Sequence, residues 1–174
     1  ELNPNYAIAY SNLGTILSDL GRLQEAEISI RKAIEINPGY SMAHSNLGTI
    51  LSDLGRLQEA ELSQRKSIQL NPNLAMAHSN LGTLLIDLGK LDEAEFSLRK
   101  AIKLKPDFAE AHSNLGSILS DLGNLEEAES SICQAISIKA SSESYVTYAN
   151  FLYEKKEFNA SIENLHKAKE LVDE

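Results

Sequence analysis

Apolar residues recur along the chain in a helical pattern that repeats every 34 residues. Residues 11–27 and 45–61 have the same seventeen-letter sequence, SNLGTILSDLGRLQEAE, and two close variants follow. Around the first copy, apolar residues fall three or four positions apart from Ala9 to Leu20, which is the spacing of an amphipathic helix. A second apolar stripe of the same kind follows after a short break. Each repeat is therefore predicted to be a pair of antiparallel helices.

Glycine and proline mark the ends of the predicted helices. The first helix of each of the first four repeats is followed by a glycine, which tolerates the positive φ of a helix C-terminus, at Gly21, Gly55, Gly89 and Gly123. The second helix is predicted to end before Pro38, Pro72 or Pro106, since proline cannot continue a helix. These limits give five repeats, at 7–40, 41–74, 75–108, 109–141 and a diverged 142–174. Residues 1–6 resemble the end of a preceding repeat, and we expect the chain to be part of a longer protein.

Small residues recur at positions where two helices would touch. Glycine lies in the middle of each of the first four first helices, at Gly14, Gly48, Gly82 and Gly116, although it costs about 0.5 to 1 kcal/mol there relative to alanine. Alanine recurs in the second helices at Ala26, Ala60, Ala94 and Ala128. This arrangement resembles the tetratricopeptide repeat (TPR) family. The resemblance implies an all-α fold, a right-handed superhelical solenoid of antiparallel helix pairs whose first helices line a concave groove.

The polar positions of the first helices also repeat and provide the candidate binding residues. They are Asn12, Asn46, Asn80, Asn114, Asp19, Asp53, Asp87, Asp121, Ser45, Ser79, Thr49 and Thr83. An asparagine side chain offers both donors and an acceptor, so a row of asparagines is expected to hold the backbone of an extended peptide. The row is similar to the asparagine ladder in the repeats of O-linked N-acetylglucosamine transferase. The alternative is that duplication copied a solvated Ser-Asn pair.

The charge of the chain restricts the class of ligand. Lys and Arg number 16 against 25 Asp and Glu, for a net charge of −9, so we expect neither nucleic acid nor an anionic membrane as a partner. The first helices of the first four repeats contain aspartate but no lysine or arginine. We therefore expect a protein or peptide partner, with neutral or basic extended segments favoured over acidic ones.

Residue types that often carry chemistry are present but isolated. His44, His78 and His112 lie one repeat apart, on the order of 10 Å, whereas ligands of one zinc ion lie within about 2.1 Å of it. We interpret them as packing residues. Cys133 has no basic residue one helical turn away to activate it. We expect no catalytic residue, no metal and no cofactor. Because no apolar run approaches the roughly 20 residues of a membrane span, we expect a cytoplasmic protein.

The pattern favours a non-catalytic interaction scaffold that binds an extended peptide in its groove. One alternative is a substrate-docking TPR region of a larger enzyme, such as a glycosyltransferase. Another is a self-association module that forms a homo-oligomer through its end repeats, since five of the ten aromatic residues lie in the last repeat.

Overall fold

A computed structural model describes residues 4–173, and these residues are helical apart from short turns. Their ten helices are α1 (Pro4–Asp19), α2 (Leu23–Ile36), α3 (Ser41–Asp53), α4 (Leu57–Leu70), α5 (Ala75–Asp87), α6 (Leu91–Leu104), α7 (Ala109–Asp121), α8 (Leu125–Ile138), α9 (Ser142–Glu154) and α10 (Phe158–Asp173). The predicted all-α fold of paired helices is confirmed. Residues 1–3 of the predicted tail of a preceding repeat lie outside the described part, and α1 already begins at Pro4.

A residue in the left-handed backbone conformation closes the first helix of each pair. Gly21 has φ 72°, and the N–H of Arg22 donates to the carbonyl of Leu17 at 2.8 Å, which completes the turn. The other turn glycines have φ values of 70° to 79°. In the fifth pair Lys156 takes this place with φ 64°. The turn geometry is therefore kept even where the repeat has lost its glycine.

Two compact units make up the chain, residues 1–90 and 91–174, with the boundary in the turn between α5 and α6. In the first unit α2 packs on α3 and α4 packs on α5, while α1, α3 and α5 lie side by side. In the second unit α6 packs on α7. The pairs α7–α8 and α9–α10 are joined by the packing of α8 on α9. Within its own unit, each of α3, α7 and α9 therefore lies between two second helices.

The mid-helix glycines permit close packing within a pair. A Cβ atom added at Gly14 would lie 2.5 Å from Cγ1 of Ile30, well inside van der Waals contact. At Gly48 the corresponding neighbour is Gln64, whose Nε2 would lie 2.6 Å away. The side chain of the second helix thus occupies the space that a first-helix side chain would otherwise fill.

Gln64 is a buried polar residue where other repeats have isoleucine or leucine, and its amide is hydrogen-bonded. The Ser45 hydroxyl donates to Oε1 at 3.0 Å, and Nε2 donates to the Ser45 carbonyl at 3.0 Å. Only 1% of the residue is exposed. Because both Oε1 and Nε2 have hydrogen-bond partners, burial of Gln64 leaves no unsatisfied polar group on its amide.

Ion pairs along the second helices join successive repeats. Glu27 accepts from Arg31 of its own helix and from Arg56 of the next repeat, each at 2.8 Å. Glu61 is bound in the same way by Arg65 and Lys90. Both carboxylates are largely buried, with 15% and 14% of their side chains exposed. Each of these carboxylates therefore binds a basic residue of its own helix and one of the next repeat at the same time.

These contacts predict an acid-sensitive stability. The hydrogen bond from Lys90, opposed by burial and assisted by Arg65, lowers the pKa of Glu61. Because the pKa is lower in the folded protein, the ionised Glu61 carboxylate stabilises the fold above the unfolded-state pKa of about 4.3. This stabilisation is lost as the pH falls through the folded-state pKa. We expect Glu61→Gln to be less stable than wild type at pH 7 and the difference to shrink below about pH 4. Urea unfolding across this pH range measures it. The exposed Glu126→Gln is the control, and an equal effect of both substitutions would contradict the prediction.

The close approach at Gly14 predicts a strong effect of a single methyl group. We expect Gly14→Ala to lower the free energy of unfolding by about 1 to 3 kcal/mol, because overlap with Ile30 outweighs the gain in helix propensity. Gly39→Ala is the matched control, since its Cβ would meet Asn37 Oδ1 at 3.5 Å, an ordinary contact. Chemical denaturation compares the two, and equal stabilities would show that the helices do not approach this closely.

Candidate functional site

A cleft opens across the first helices of the first unit. It has a volume of about 250 Å³ and is formed by α1, α3 and α5. Its lining residues are Thr15, Ser18, Asp19, Asn46, Thr49, Ile50, Met76 and Asn80. Asp19, Asn46, Thr49 and Asn80 were predicted as binding residues, and the structure brings these four together.

The amide of Asn46 bonds to the preceding first helix. Its Nδ2 lies 3.3 Å from both Ser11 Oγ and Thr15 Oγ1 on α1. The Thr15 hydroxyl donates its proton to the Ser11 carbonyl at 3.2 Å, so Thr15 Oγ1 can only accept from the amide. Asn46 therefore uses its donor side to join α3 to α1.

Asn80 repeats this arrangement one helix further along. Its Nδ2 lies 3.2 Å from Thr49 Oγ1 and 3.4 Å from Ser45 Oγ. Thr49 donates to the Ser45 carbonyl, and Ser45 donates to Gln64, so neither hydroxyl has a proton left for the amide. This fixes which end of the amide faces the helix. Oδ1 is the end that remains for the cleft.

The site thus differs from the expectation that each asparagine offers both donor and acceptor to a ligand. The donor sides of Asn46 and Asn80 are used within the protein. Ser45 and Ser79, also predicted as binding residues, have no exposed surface, and therefore present no atoms to the cleft. In the repeat pattern, these serines lie at the border between the polar stripe and the packing face of the helix. A helical wheel does not show to which of the two faces they belong.

The remaining predicted residues of the first unit do not line the cleft. Asn12 is exposed, and Asp53 and Asp87 are exposed near the ends of α3 and α5. Although Asp53 is exposed overall, partial burial of its carboxyl raises the pKa of this residue. Thr83 is half-buried and donates to the Ser79 carbonyl at 3.3 Å.

Sequence reasoning missed the apolar part of the cleft. Met76 is 36% exposed and lies beside Ile50, which is only 2% exposed. Ser18 and Thr15 complete the wall on α1. By its position in the repeat Met76 belongs to the polar stripe of the first helix. That spacing was the signal that could have placed Met76 in the cleft.

The second unit carries the two other predicted residues. Asn114 is half-buried on α7, and Asp121 lines a smaller cleft of about 70 Å³ that includes Ser120, Thr147 and Glu154. Ser120 donates to Glu154 at 2.9 Å, which occupies part of this cleft. The larger cleft of the first unit is therefore the stronger candidate.

The three histidines hold the turns between repeats. Nε2 of His44, His78 and His112 lies 3.0, 3.0 and 2.9 Å from the carbonyl of Pro38, Pro72 and Pro106, respectively. Each bond joins a first helix to the turn before it. Within residues 4–173 no three His, Cys, Asp or Glu side chains converge as metal ligands. Cys133 is an exposed free thiol.

Antiparallel helix pairs with a 34-residue period define the protein as a tandem helical-repeat protein. Models described as tetratricopeptide repeat match residues 7–40, 30–61, 64–96 and 109–142, and one described as TPR repeat matches 82–123. The chain belongs to the tetratricopeptide repeat family. Repeats of this kind stack into extended binding surfaces, and the chain is a protein-interaction scaffold.

Solved TPR proteins share the fold at low sequence identity. A thermophilic TPR protein of Thermus thermophilus has a TM-score of 0.87 at 22% identity, over 97% of this chain and 92% of that one. PilF of Pseudomonas aeruginosa has a TM-score of 0.85 at 21% identity, and the match covers 95% of this chain and 76% of that one. YrrB, a TPR protein with an unusual peptide-binding site, has a TM-score of 0.69 at 23% identity, and the match covers 95% of this chain and 86% of that one.

No curated protein matches the sequence. None of the described helices is both long and apolar enough to cross a membrane.

The amide orientation predicts different effects of one substitution at two asparagines. Asn80→Asp would place a carboxylate against two hydroxyl oxygens that have no proton to donate. We expect it to lower the free energy of unfolding by about 1 to 2 kcal/mol at pH 7. Asn12→Asp, at an exposed position on α1, is expected to change the free energy of unfolding by less than about 0.5 kcal/mol. Urea titrations of both variants test this, and a tolerated Asn80→Asp would refute the assigned orientation.

Proposed function

We propose that the cleft on α1, α3 and α5 binds an extended peptide segment that is neutral or basic. The observation that carries this proposal is the orientation of Asn46 and Asn80. Because both amides donate to the preceding helix, the cleft presents mainly hydrogen-bond acceptors. A ligand that fits it is rich in donors.

The acceptors come from two kinds of group. Oδ1 of Asn46 and of Asn80 can each accept a peptide N–H, and Asp19 contributes a carboxylate. None of α1, α3 and α5 contains a lysine or arginine in its described sequence. A lysine or arginine of the ligand would therefore meet acceptors and negative charge without a competing cation.

The repeat spacing sets the register of the peptide. Packed helices lie about 8 to 10 Å apart, and an extended chain rises about 3.3 Å per residue. Contacts to Asn46 and Asn80 are then about three residues apart along the ligand. Met76 and the edge of Ile50 add an apolar surface, and the flexible thioether of Met76 can adapt to different apolar side chains.

These contacts support recognition without catalysis. The cleft lining contains one ionisable residue, Asp19, and no histidine, cysteine or lysine that could pair with it. With a net gain of about 0.5 to 1.5 kcal/mol per hydrogen bond and the cost of ordering the peptide, we expect micromolar affinity. Such affinity suits a scaffold that binds and releases its partner.

Two peptides of opposite charge test the proposal. We use Ser-Ala peptides of equal length that carry either Lys or Glu at every third position. The protein is expected to bind the Lys peptide more tightly, and Asp19→Asn to weaken that binding about threefold to tenfold. Isothermal titration calorimetry measures both affinities at low and high salt, because screening weakens a charge contact.

Two further variants serve as controls for this experiment. Glu35→Gln removes the same charge from α2, outside the cleft, and should leave the affinity unchanged. Met76→Ala should weaken both peptides equally, since it removes apolar contact and no charge. Equal affinity of wild type for the two peptides, or preference for the Glu peptide, would overturn the proposed ligand class.

A further inference from the structure

The candidate cleft crosses its three helices on a diagonal. Its wall on α1 lies within residues 15–19, at the end of that helix, and its wall on α3 lies within residues 46–50, around the middle. On α5 the cleft is lined by Met76 and Asn80, in the first half of the helix. The cleft therefore has two different ends, Asp19 on α1 and Met76 on α5.

The α1 end of the cleft is acidic. Asp19 is exposed and is the only charged residue of α1. The nearest basic residue in the sequence, Arg22, is held by another carboxylate, since its Nε and Nη2 donate to Glu25 at 2.7 and 2.6 Å. A basic side chain of a ligand therefore meets the Asp19 carboxylate without competition from Arg22.

The α5 end of the cleft is apolar and lies in an uncharged part of the sequence. Met76 is 36% exposed, and no Asp, Glu, Lys or Arg occurs from residue 67 to residue 86. The partial positive charge at the beginning of a helix also disfavours a cation there. The corresponding residues of the last two repeats are Glu110 and Glu143, so an apolar end of this kind belongs to the first unit.

The separation of the two ends sets the spacing of the ligand side chains. Neighbouring packed helices lie about 8 to 10 Å apart, so two such steps from Asp19 to Met76 amount to about 20 Å. An extended peptide covers this distance in about six residues. An even separation places both side chains on one face of the extended chain. Both can then enter the cleft, while backbone N–H groups between them meet Oδ1 of Asn46 and of Asn80.

We propose that the cleft recognises a two-part motif, a lysine or arginine and a large apolar residue about six positions apart in an extended segment. The basic residue pairs with Asp19, and the apolar residue packs on Met76 and the edge of Ile50. An amide oxygen accepts an N–H from either chain direction, so the cleft reads the spacing and not the order. This inference rests on the proposed function and adds to it the spacing that a ligand needs.

Two capped peptides of identical composition test the spacing. Each is a Ser-Ala chain with one Lys and one Leu, which are six positions apart in the spaced peptide and directly adjacent in the other. Isothermal titration calorimetry with the 174-residue chain measures both affinities at low salt. We expect the spaced peptide to bind at least about threefold more tightly, because the adjacent pair reaches only one end of the cleft at a time.

Variants at each end assign the two contacts. In Asp19→Asn and, separately, in Met76→Ala, the two peptides should bind equally, since only one end of the cleft is left to contact. Glu35→Gln on α2 and Leu62→Ala on α4 are the matched controls. Neither residue lines the cleft, and Leu62 is 69% exposed. Both controls should keep the preference for the spaced peptide.

A third peptide, with Glu in place of the Lys of the spaced peptide, separates failure of this inference from failure of the proposed function. Weaker binding of the Glu peptide, together with equal binding of the spaced and adjacent peptides, would overturn the spacing and leave the proposed ligand class standing. Equal or tighter binding of the Glu peptide, or no binding of any of the three, would overturn both. A preference for the spaced peptide that survives in Asp19→Asn and in Met76→Ala would also overturn the two-ended motif.

Discussion

The architecture depends on a close contact between helices that the mid-helix glycines allow. The Ile30 side chain fills the space that a Cβ of Gly14 would occupy, and Gln64 does the same at Gly48. Each first helix therefore uses one face to contact its own partner helix. In α3 a second face is covered by α2, the second helix of the preceding repeat. A third face of α1, α3 and α5 forms the wall of the cleft.

Polar contacts between repeats decide what that third face offers. Packing alone would leave asparagine amides free to turn, but the hydroxyls of Thr15 and Thr49 accept from Asn46 and Asn80. The scaffold thereby uses the donors and leaves the acceptors to the cleft. The excess of hydrogen-bond acceptors in the candidate site therefore results from the contacts that join the repeats. Ion pairs such as Glu27 with Arg56 join the same repeats along their second helices.

The sequence predicted the fold well because its signals are local and repeated. The period, the turn glycine at Gly21 and the small residue at Gly14 each describe contacts within one helix pair. The burial of Ser45 and the donor role of Asn80 depend on the neighbouring repeat, which a single helix pattern does not contain. His44 shows the same limit. The sequence predicts a packing residue there, and the structure adds a contact of its ring with the carbonyl of Pro38 that the helical pattern does not contain.

Nuclear magnetic resonance of the side-chain amides tests the central claim, that the asparagines donate inward and accept outward. In a ¹⁵N-labelled protein, the Nδ2 protons of Asn46 and Asn80 should show nuclear Overhauser effects to the methyl groups of Thr15 and Thr49. They should exchange with water more slowly than those of Asn12, and they should keep these contacts when the Lys peptide is added. Equal exchange at all three asparagines, or amide protons that leave the threonines to contact the peptide, would contradict the claim.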